Sequence, residues 1–487
     1  MRKIVFSFIA LVIATSGFTQ VKPAWKKIFT QINNEVQANS RAYSTLRESS
    51  ETIGHRLTGS ENGAKAEQYA YDLLKSYGFE DVRFQPFEME SWARGTVNVS
   101  IGKVGAPMQD VKSVALAHTP VEADVYGELI DMGNGLEDDY KKAGDKVKGK
   151  IALVYLGILP NSGEGLRNLH RSEKTALAIQ YGAVGIIIIN TVDGGVLLTG
   201  TASVTGKLIP IPAACIGKED GLKLKERLKE EKLSARISMT NFSGTIKARN
   251  VIATIKGKKL PNEKIVVGGH LDSWDLADGS IDNGIGSFSV IDMARTFKAL
   301  NLRPDRTIEF VLFMGEEQGL LGSTHYVEQA LADGSINNIR LMLNYDMTND
   351  PRGYSATSPL MEPLVKGIGE IVKSIDPSFE NIFNSRAGLH SDHEPFMLQG
   401  VITGGAAGGR LPNNAGRCYH SDCDSFNLVE EQGMKNTVRF NSMLIYGLAD
   451  AKTIPAKRRS DEETKAFLEK NNLKEALIIA GDWRWEK

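Results

Sequence analysis

Residues 265–284 contain Ile265-Val266-Val267-Gly268-Gly269-His270-Leu271-Asp272 and, after a short polar stretch, Asp282-Asn283-Gly284. The apolar run ending in two glycines predicts a strand over Ile265–Gly269. A loop holding Asp275, Asp278 and Asp282 follows, then a helix over Gly286–Leu300. Working outward, the alternation repeats. A strand over Thr307–Met314 leads to a helix over Leu320–Asp333, and a strand over Arg340–Tyr345 comes next. A helix over Leu360–Ile375, a strand over Val401–Thr403 and a helix over Glu430–Ala451 complete the series. Strands alternating with helices predict an α/β fold, a mostly parallel mixed sheet sandwiched by helices.

Upstream the pattern differs. Residues 22–48 are expected to be helical and surface-facing. Glu67 to Tyr77 continues a helical pattern that Gly78 ends as a C-cap. Residues 79–117 alternate as strands. Short β-rich runs then fill 126–217, with helices near Glu173–Tyr181 and Glu219–Glu230, and no metal-ligand or nucleophile pattern stands out there. This divides the chain into a segment 20–119, a β-rich insert over 120–245, a main part over 246–452 and a charged tail over 453–487 expected to pack as one more helix.

The chain has 487 residues, 41% of them hydrophobic and 24% charged, so a core of ordinary globular size is within reach. Lys+Arg 58 against Asp+Glu 59 offers no basic surplus for nucleic acid. Arg2 and Lys3 precede an apolar run at residues 4–14 and then small and polar residues. Residues 1–19 therefore read as a cleaved secretory signal, because the run is too short to span a bilayer. The expected location is secreted or periplasmic, with no membrane attachment after cleavage. Three cysteines are too few for a disulfide scaffold. Cys418 and Cys423 are close enough to pair in an oxidising compartment, and two free thiols are the alternative. Cys215 is left over and is expected to be buried.

In such sheets function collects beyond the carboxyl ends of the strands. Those ends carry His270 and Asp272, then Asp282, then Glu316-Glu317, then Asp346, while a late loop carries Tyr419-His420. One His at a strand end is ordinarily structural, and one Asp there is ordinarily a helix cap. Two His and three carboxylates arriving at one rim fit two zinc ions sharing a carboxylate. The adjacent Glu316 and Glu317 point differently, so one can bind metal while the other takes a proton from water. Asp272, two residues after His270, would accept the other imidazole N–H.

These residues resemble the di-zinc aminopeptidase and glutamate carboxypeptidase family. The motifs are Gly54-His55-Arg56-Leu57-Thr58-Gly59-Ser60, His270-Leu271-Asp272, Asp282-Asn283-Gly284, Gly315 to Ser323, Asn344-Tyr345-Asp346, Ser391 to Phe396 and Tyr419 to Asp422. The insert resembles a protease-associated domain. The resemblance implies that Asp282 and a water or hydroxide bridge two zinc ions, with His270 and Asp346 on one and Glu317 and His420 on the other. It implies Glu316 as general base, a cis peptide at Asp282-Asn283, a short peptide as substrate and a homodimer. Tyr419 or His393 would help hold the oxyanion. Arg386, Arg410 and Arg417 lie in late loops, where a cation could pair with a substrate carboxylate. The expected activity is that of a dipeptidase or carboxypeptidase, with aminopeptidase the alternative. A binding protein on the same fold would be expected to have lost ligands, and all five are present.

Overall fold

The computed structural model describes residues 22–485. The expected signal segment 1–19 lies outside them. Strand Leu260–His270 lies between Arg306–Phe313 and Ile339–Asn344 and runs parallel to both. Thr403–Ala407 pairs in parallel with Ile339–Asn344, and Gly353–Ala356 then adds antiparallel. On the far side Arg306–Phe313 meets Leu233–Ile255 antiparallel. The centre is therefore parallel and the flanks mixed. Parallel strands need both faces covered. Helices Ile285–Ala299 and Glu431–Asp450 pack into the main apolar core on one face, while Tyr326, Val327 and Phe396 from helices Leu321–Ala332 and His393–Leu398 close the other.

Register places the chemistry. His270 sits opposite Phe313 and Gly268 opposite Asn344, so the three strands end at one rim. The residues just beyond, Asp272, Glu316-Glu317 and Asp346, emerge together. Asn283 ties the rim down. Its amide donates to the carbonyls of His270 (3.2 Å) and Tyr345 (2.9 Å), and its carbonyl accepts from the Met347 N–H at 2.9 Å. The peptide bond between Asp282 and Asn283 is cis, as the resemblance implied.

Strands Val82–Lys103 and Leu233–Ile255 pair antiparallel from Val82 opposite Ala253 to Lys103 opposite Leu233. This ribbon, on the order of 70 Å long at ~3.3 Å per residue, crosses residue 245, where the composition changes. At its far end strands Glu122–Asp131, Ile151–Tyr155, Gly185–Ile189 and Ala213–Ile216 run parallel to one another. Every residue of the last three is buried, which explains why their apolar runs do not alternate.

Some elements differ from expectation. Residues 22–48 fold as parts of two helices, Trp25–Asn39 and Ala42–Thr52, and they are not merely surface-facing. Trp25, Phe29, Ile32 and Val36 recur at helical spacing and are fully buried in the main core. The strand expected at Val401–Thr403 is Thr403–Ala407, a Thr-Gly-Gly-Ala-Ala stretch of weak strand propensity. Its glycines are there for contact, since a Cβ on Gly404 would lie 2.2 Å from the Ser355 carbonyl. The tail holds two helices, Asp461–Lys470 and Lys474–Ala480, separated by Asn472 at φ +56°. Gly78, at φ +84°, follows helix Glu61–Ser76 as its expected C-cap position.

Candidate metal centre

The five expected ligands converge. His270 Nε2 lies 3.3 Å from Asp282 Oδ1 and 3.5 Å from Asp346 Oδ1. His420 Nε2 lies 3.1 Å from Asp282 Oδ2 and 3.0 Å from Glu317 Oε2. The two oxygens of Asp282 thus face two different imidazoles, each with a carboxylate of its own. Glu316 brings an oxygen within 4.8 Å of ligand atoms of His270 and Asp346. His270, Asp282, Glu317 and His420 are buried, whereas Glu316 and Asp346 are partly open to a cavity of about 1230 Å³.

The donor set calls for cations. Four carboxylates surround two imidazoles, and Glu317 Oε1 and Asp346 Oδ1 are buried with no hydrogen-bond partner. Imidazole nitrogen and carboxylate oxygen are the donors zinc takes. Unpaired buried acceptors are costly unless something pairs with them. The titration shifts follow the same crowding. Burial, reinforced by Glu317, Asp346 and Asp392, holds Glu316 well above the usual carboxylate range against the pull of His270. Burial opposes protonation of His270, but Glu316, Asp272, Asp282 and Asp346 together hold its pKa above the ordinary value. Burial likewise raises Glu317.

The surroundings are built by residues far apart in sequence. His270 Nδ1 lies 3.1 Å from the backbone carbonyl of Asp272 and 3.6 Å from its carboxylate. The carboxylate itself accepts from the Gly315 N–H (3.0 Å) and the Thr58 hydroxyl (2.9 Å), and so holds the turn that carries Glu316 and Glu317. The expected imidazole contact of Asp272 is thus closest through its main chain. Ser391 donates to Asp346 Oδ2 at 2.7 Å. His420 Nδ1 faces the carbonyl of Thr199 at 3.4 Å, and the Thr199 N–H donates to the His420 carbonyl at 2.9 Å. The segment that showed no ligand pattern therefore steadies one of the candidate ligands. Nothing local to Thr199 announces that role.

The motif at residues 54–60 supplies no ligand. Arg56 is fully buried, and its guanidinium donates to the carbonyls of Leu271 (2.6 Å), Asp278 (2.7 Å) and Gly279 (2.8 Å), bracing the loop that leads to Asp282. Asp275 pairs with Arg94 at 2.9 Å, and Asp278 caps Ser280 and the Phe426 N–H. Asp424 accepts from the Ile281 and Asp282 N–H groups, and burial pushes its pKa up to about 7.

The remaining candidates separate. Tyr419 and His393 both line the cavity. The Tyr419 ring stacks on His420 at 3.8 Å between centroids, while His393 Nε2 contacts the Gly388 carbonyl at 3.1 Å. Arg386, Arg410 and Arg417 are exposed and do not line it, and Arg417 bonds the Asp193 carbonyl instead. The expectation that one of these three faces a substrate is corrected, because the late loops turn them to solvent. Cys418 and Cys423 form a disulfide around Tyr419 and His420, and Cys215 is a buried free thiol.

Comparison with known proteins points to a peptidase. Residues 250–445 match Peptidase family M28, and residues 125–224 match the PA domain. Carboxypeptidase Q of Xenopus laevis is 29% identical over 389 residues, covering 75% of this chain and 77% of that one. A probable leucine aminopeptidase 2 of Trichophyton verrucosum (strain HKI 0517) is 28% identical over 372 residues, covering 72% of this chain and 68% of that one. Among solved structures, a peptidase M28 precursor from Shewanella amazonensis SB2B superposes with a TM-score of 0.75 at 22% identity, covering 90% of this chain and 99% of that one. An aminopeptidase from Aneurinibacillus sp. strain AM-1 superposes with a TM-score of 0.65 at 26% identity, covering 89% and 98%. With its candidate metal ligands gathered at one sheet rim and a PA-domain match alongside, the chain is a metallo-exopeptidase whose residues 250–445 match peptidase family M28.

Proposed function

We propose that the protein is an exported di-zinc exopeptidase acting on short peptides, of the dipeptidase or carboxypeptidase kind. The observation that carries the two-metal reading is Asp282, whose two oxygens address separate His–carboxylate pairs. In this reading His270 and Asp346 hold one zinc, Glu317 and His420 the other, and Asp282 joins them. Zinc, when bound, polarises a carbonyl and makes water a nucleophile near neutral pH. Glu316 projects into the cavity beside His270 and Asp346 and accepts the proton of the attacking water. In this reading Glu316 then returns that proton to the leaving amine. The Tyr419 hydroxyl is the better oxyanion donor, because the His393 ring is engaged with Gly388.

The carboxypeptidase Q relatives favour the dipeptidase or carboxypeptidase reading. The second reading, an aminopeptidase, draws support from the fungal relative and the Aneurinibacillus structure. The Cys418–Cys423 bridge supports an oxidising location. No helix of the described residues is long and apolar enough to cross a membrane. The chain boundaries read from composition, with an insert at 120–245 in a catalytic part, belong to the same proposal and gain support from the PA match.

The test is metal content with hydrolysis on one sample. An unblocked dipeptide, an N-blocked peptide and a longer peptide are offered to zinc-loaded protein. Two zinc ions per chain with cleavage of the dipeptide are expected. One zinc per chain at saturation would overturn the bridging role of Asp282, and release of only N-terminal residues from the longer peptide would favour the aminopeptidase.

A further inference from the structure

The cavity over the metal centre has a second charged end, where three parts of the chain meet. Glu173 lies in the first turn of helix Arg171–Gln180, within the PA match. Glu394 lies in the first turn of helix His393–Leu398. Asp482 comes from the tail, just after Gly481 at φ +84° ends helix Lys474–Ala480. All three line the cavity. The tail is fixed in place there, since Arg484 donates to the Leu398 carbonyl at 2.7 Å and Trp483 packs with Met397 and Leu477.

A helix cap accounts for one oxygen of Glu173 and leaves the other. Oε2 accepts from the His170 N–H at 2.6 Å, which closes a capping box. Oε1 is buried without a hydrogen-bond partner, on a residue 1% exposed. His390 Nε2 lies 3.5 Å from it, but burial and the charges of Arg171 and Arg167 push that imidazole down to about 4, so it is neutral near pH 7. The nearby cations are engaged elsewhere. Lys174 donates to the carbonyls of Tyr155, Leu156 and Gly157 at 2.7–3.1 Å, and Arg171 interacts with Tyr419. Among the described residues no lysine or arginine lies within ion-pair distance of Glu173, Glu394 or Asp482. Burial pushes Glu394 up to about 8, and the charges of Asp482 and Glu173 add to the rise against the pull of the His390 N–H.

Carboxylates crowded together away from water are costly unless a cation completes them. The approach to them is apolar, since Leu389, Leu398, Leu477 and Ala480 line the same cavity. Aliphatic walls leading to an anionic end suit a long cationic side chain, which buries its stem and keeps its head among polar groups. This end lies beside the metal centre, because Ser391, the residue after His390, donates to Asp346 at 2.7 Å. We propose that Glu173, Glu394 and Asp482 form a subsite for the side-chain ammonium of a lysine in the bound peptide. The proposal rests on the exopeptidase reading and deepens it by naming a substrate class. An α-ammonium has no stem to lie along the leucines. The subsite gives both the tail and the PA segment a part in substrate choice.

The experiment compares alanyl-lysine with alanyl-norleucine, and lysyl-alanine with norleucyl-alanine. Norleucine keeps the stem of lysine and lacks its ammonium, while both members of each pair share the α-ammonium and α-carboxylate. Zinc-loaded wild type, Asp482→Asn, Asp482→Lys and the double variant Glu394→Gln with Asp482→Asn are each assayed for kcat and KM. Wild type is expected to favour the lysyl member of at least one pair by roughly 10- to 100-fold in kcat/KM, mainly through KM, as for one charged hydrogen-bonded contact. The pair that shows it identifies the substrate residue in the subsite. Asp482→Asn should shrink the ratio, the double variant should bring it near one, and Asp482→Lys should reverse it. A ratio near one in wild type for both pairs would overturn the proposal. Equal losses on lysyl and norleucyl members would mean a structural role and overturn it too. Calorimetric titration of the same peptides gives a readout without turnover. If wild type cleaves none of the four, the exopeptidase reading fails, yet tighter binding of a lysyl peptide than of its norleucyl partner that vanishes in the double variant still supports the subsite. Equal affinity of wild type for the two members of each pair sinks it.

Discussion

Arg56→Met tests how the metal rim is held together. Methionine keeps most of the length of arginine and removes its donors. Three carbonyls, those of Leu271, Asp278 and Gly279, then lose charge-assisted partners at 2.6–2.8 Å. A buried acceptor left unpaired costs about 1–3 kcal/mol. The Asp278 contact is only partly buried, so water can repair it in part. The expected loss is therefore about 3–5 kcal/mol, large for a single substitution and tied to a named cause. Arg56→Lys should recover less than half, because one ammonium cannot serve three acceptors spread around a planar fork. The assay is urea unfolding of the metal-free protein, followed by zinc titration. The braced loop carries Asp282, so zinc affinity should fall as well. A loss below about 1 kcal/mol with zinc affinity intact would refute the reasoning, since it would show that the loop satisfies its own carbonyls.

Other outcomes follow from the site and its supports. Glu316→Gln should keep both zinc ions and lose nearly all turnover, while Glu317→Gln should lose one zinc. Substantial activity in the first variant would remove Glu316 from its role. Opening the Cys418–Cys423 bridge by a double change to serine should lower zinc retention on dialysis, because the bridge closes the short loop that presents His420. Unchanged zinc content would show that Thr199 and packing suffice. Burial pushes Glu394 up to about 8 from an ordinary 4.5. The folded state then binds this proton more tightly than the unfolded chain, so its contribution to stability is greatest below pH 4.5 and is lost as pH rises to 8. Glu394→Gln can still accept from the His390 N–H, so its urea midpoint should fall less between pH 5 and pH 8 than that of wild type. Parallel pH profiles for the two proteins would contradict the assignment.

Much of the fold is legible along the chain because parallel α/β units are local. Each apolar run with the amphipathic helix after it declares one unit, and the strand-end rule says where to look for chemistry. His270, Asp282, Glu316, Glu317, Asp346 and His420 stand out this way because each closes or follows a recognisable element. Strand Thr403–Ala407 does not, since its glycines and alanines answer to neighbouring backbone rather than to propensity. Helix Trp25–Asn39 shows its period, but only packing reveals that its face is fully buried.

The residue types at the metal rim, and the order in which strands deliver them, are sequence properties. Which aspartates of the loop serve the site is not. Asp275, Asp278 and Asp282 look alike in the sequence, and only the approach of Arg94, Phe426 and the two histidines separates them. The same holds for the cations. Arg386, Arg410 and Arg417 lie near the ligands in sequence yet face solvent, whereas Arg171 lies some 250 residues before His420 and shares its cavity. Periodicity and spacing act over one or two elements. The charge environment of a buried group is set by whatever else the fold brings within a few ångströms, and that is decided only by the closing of the tertiary structure.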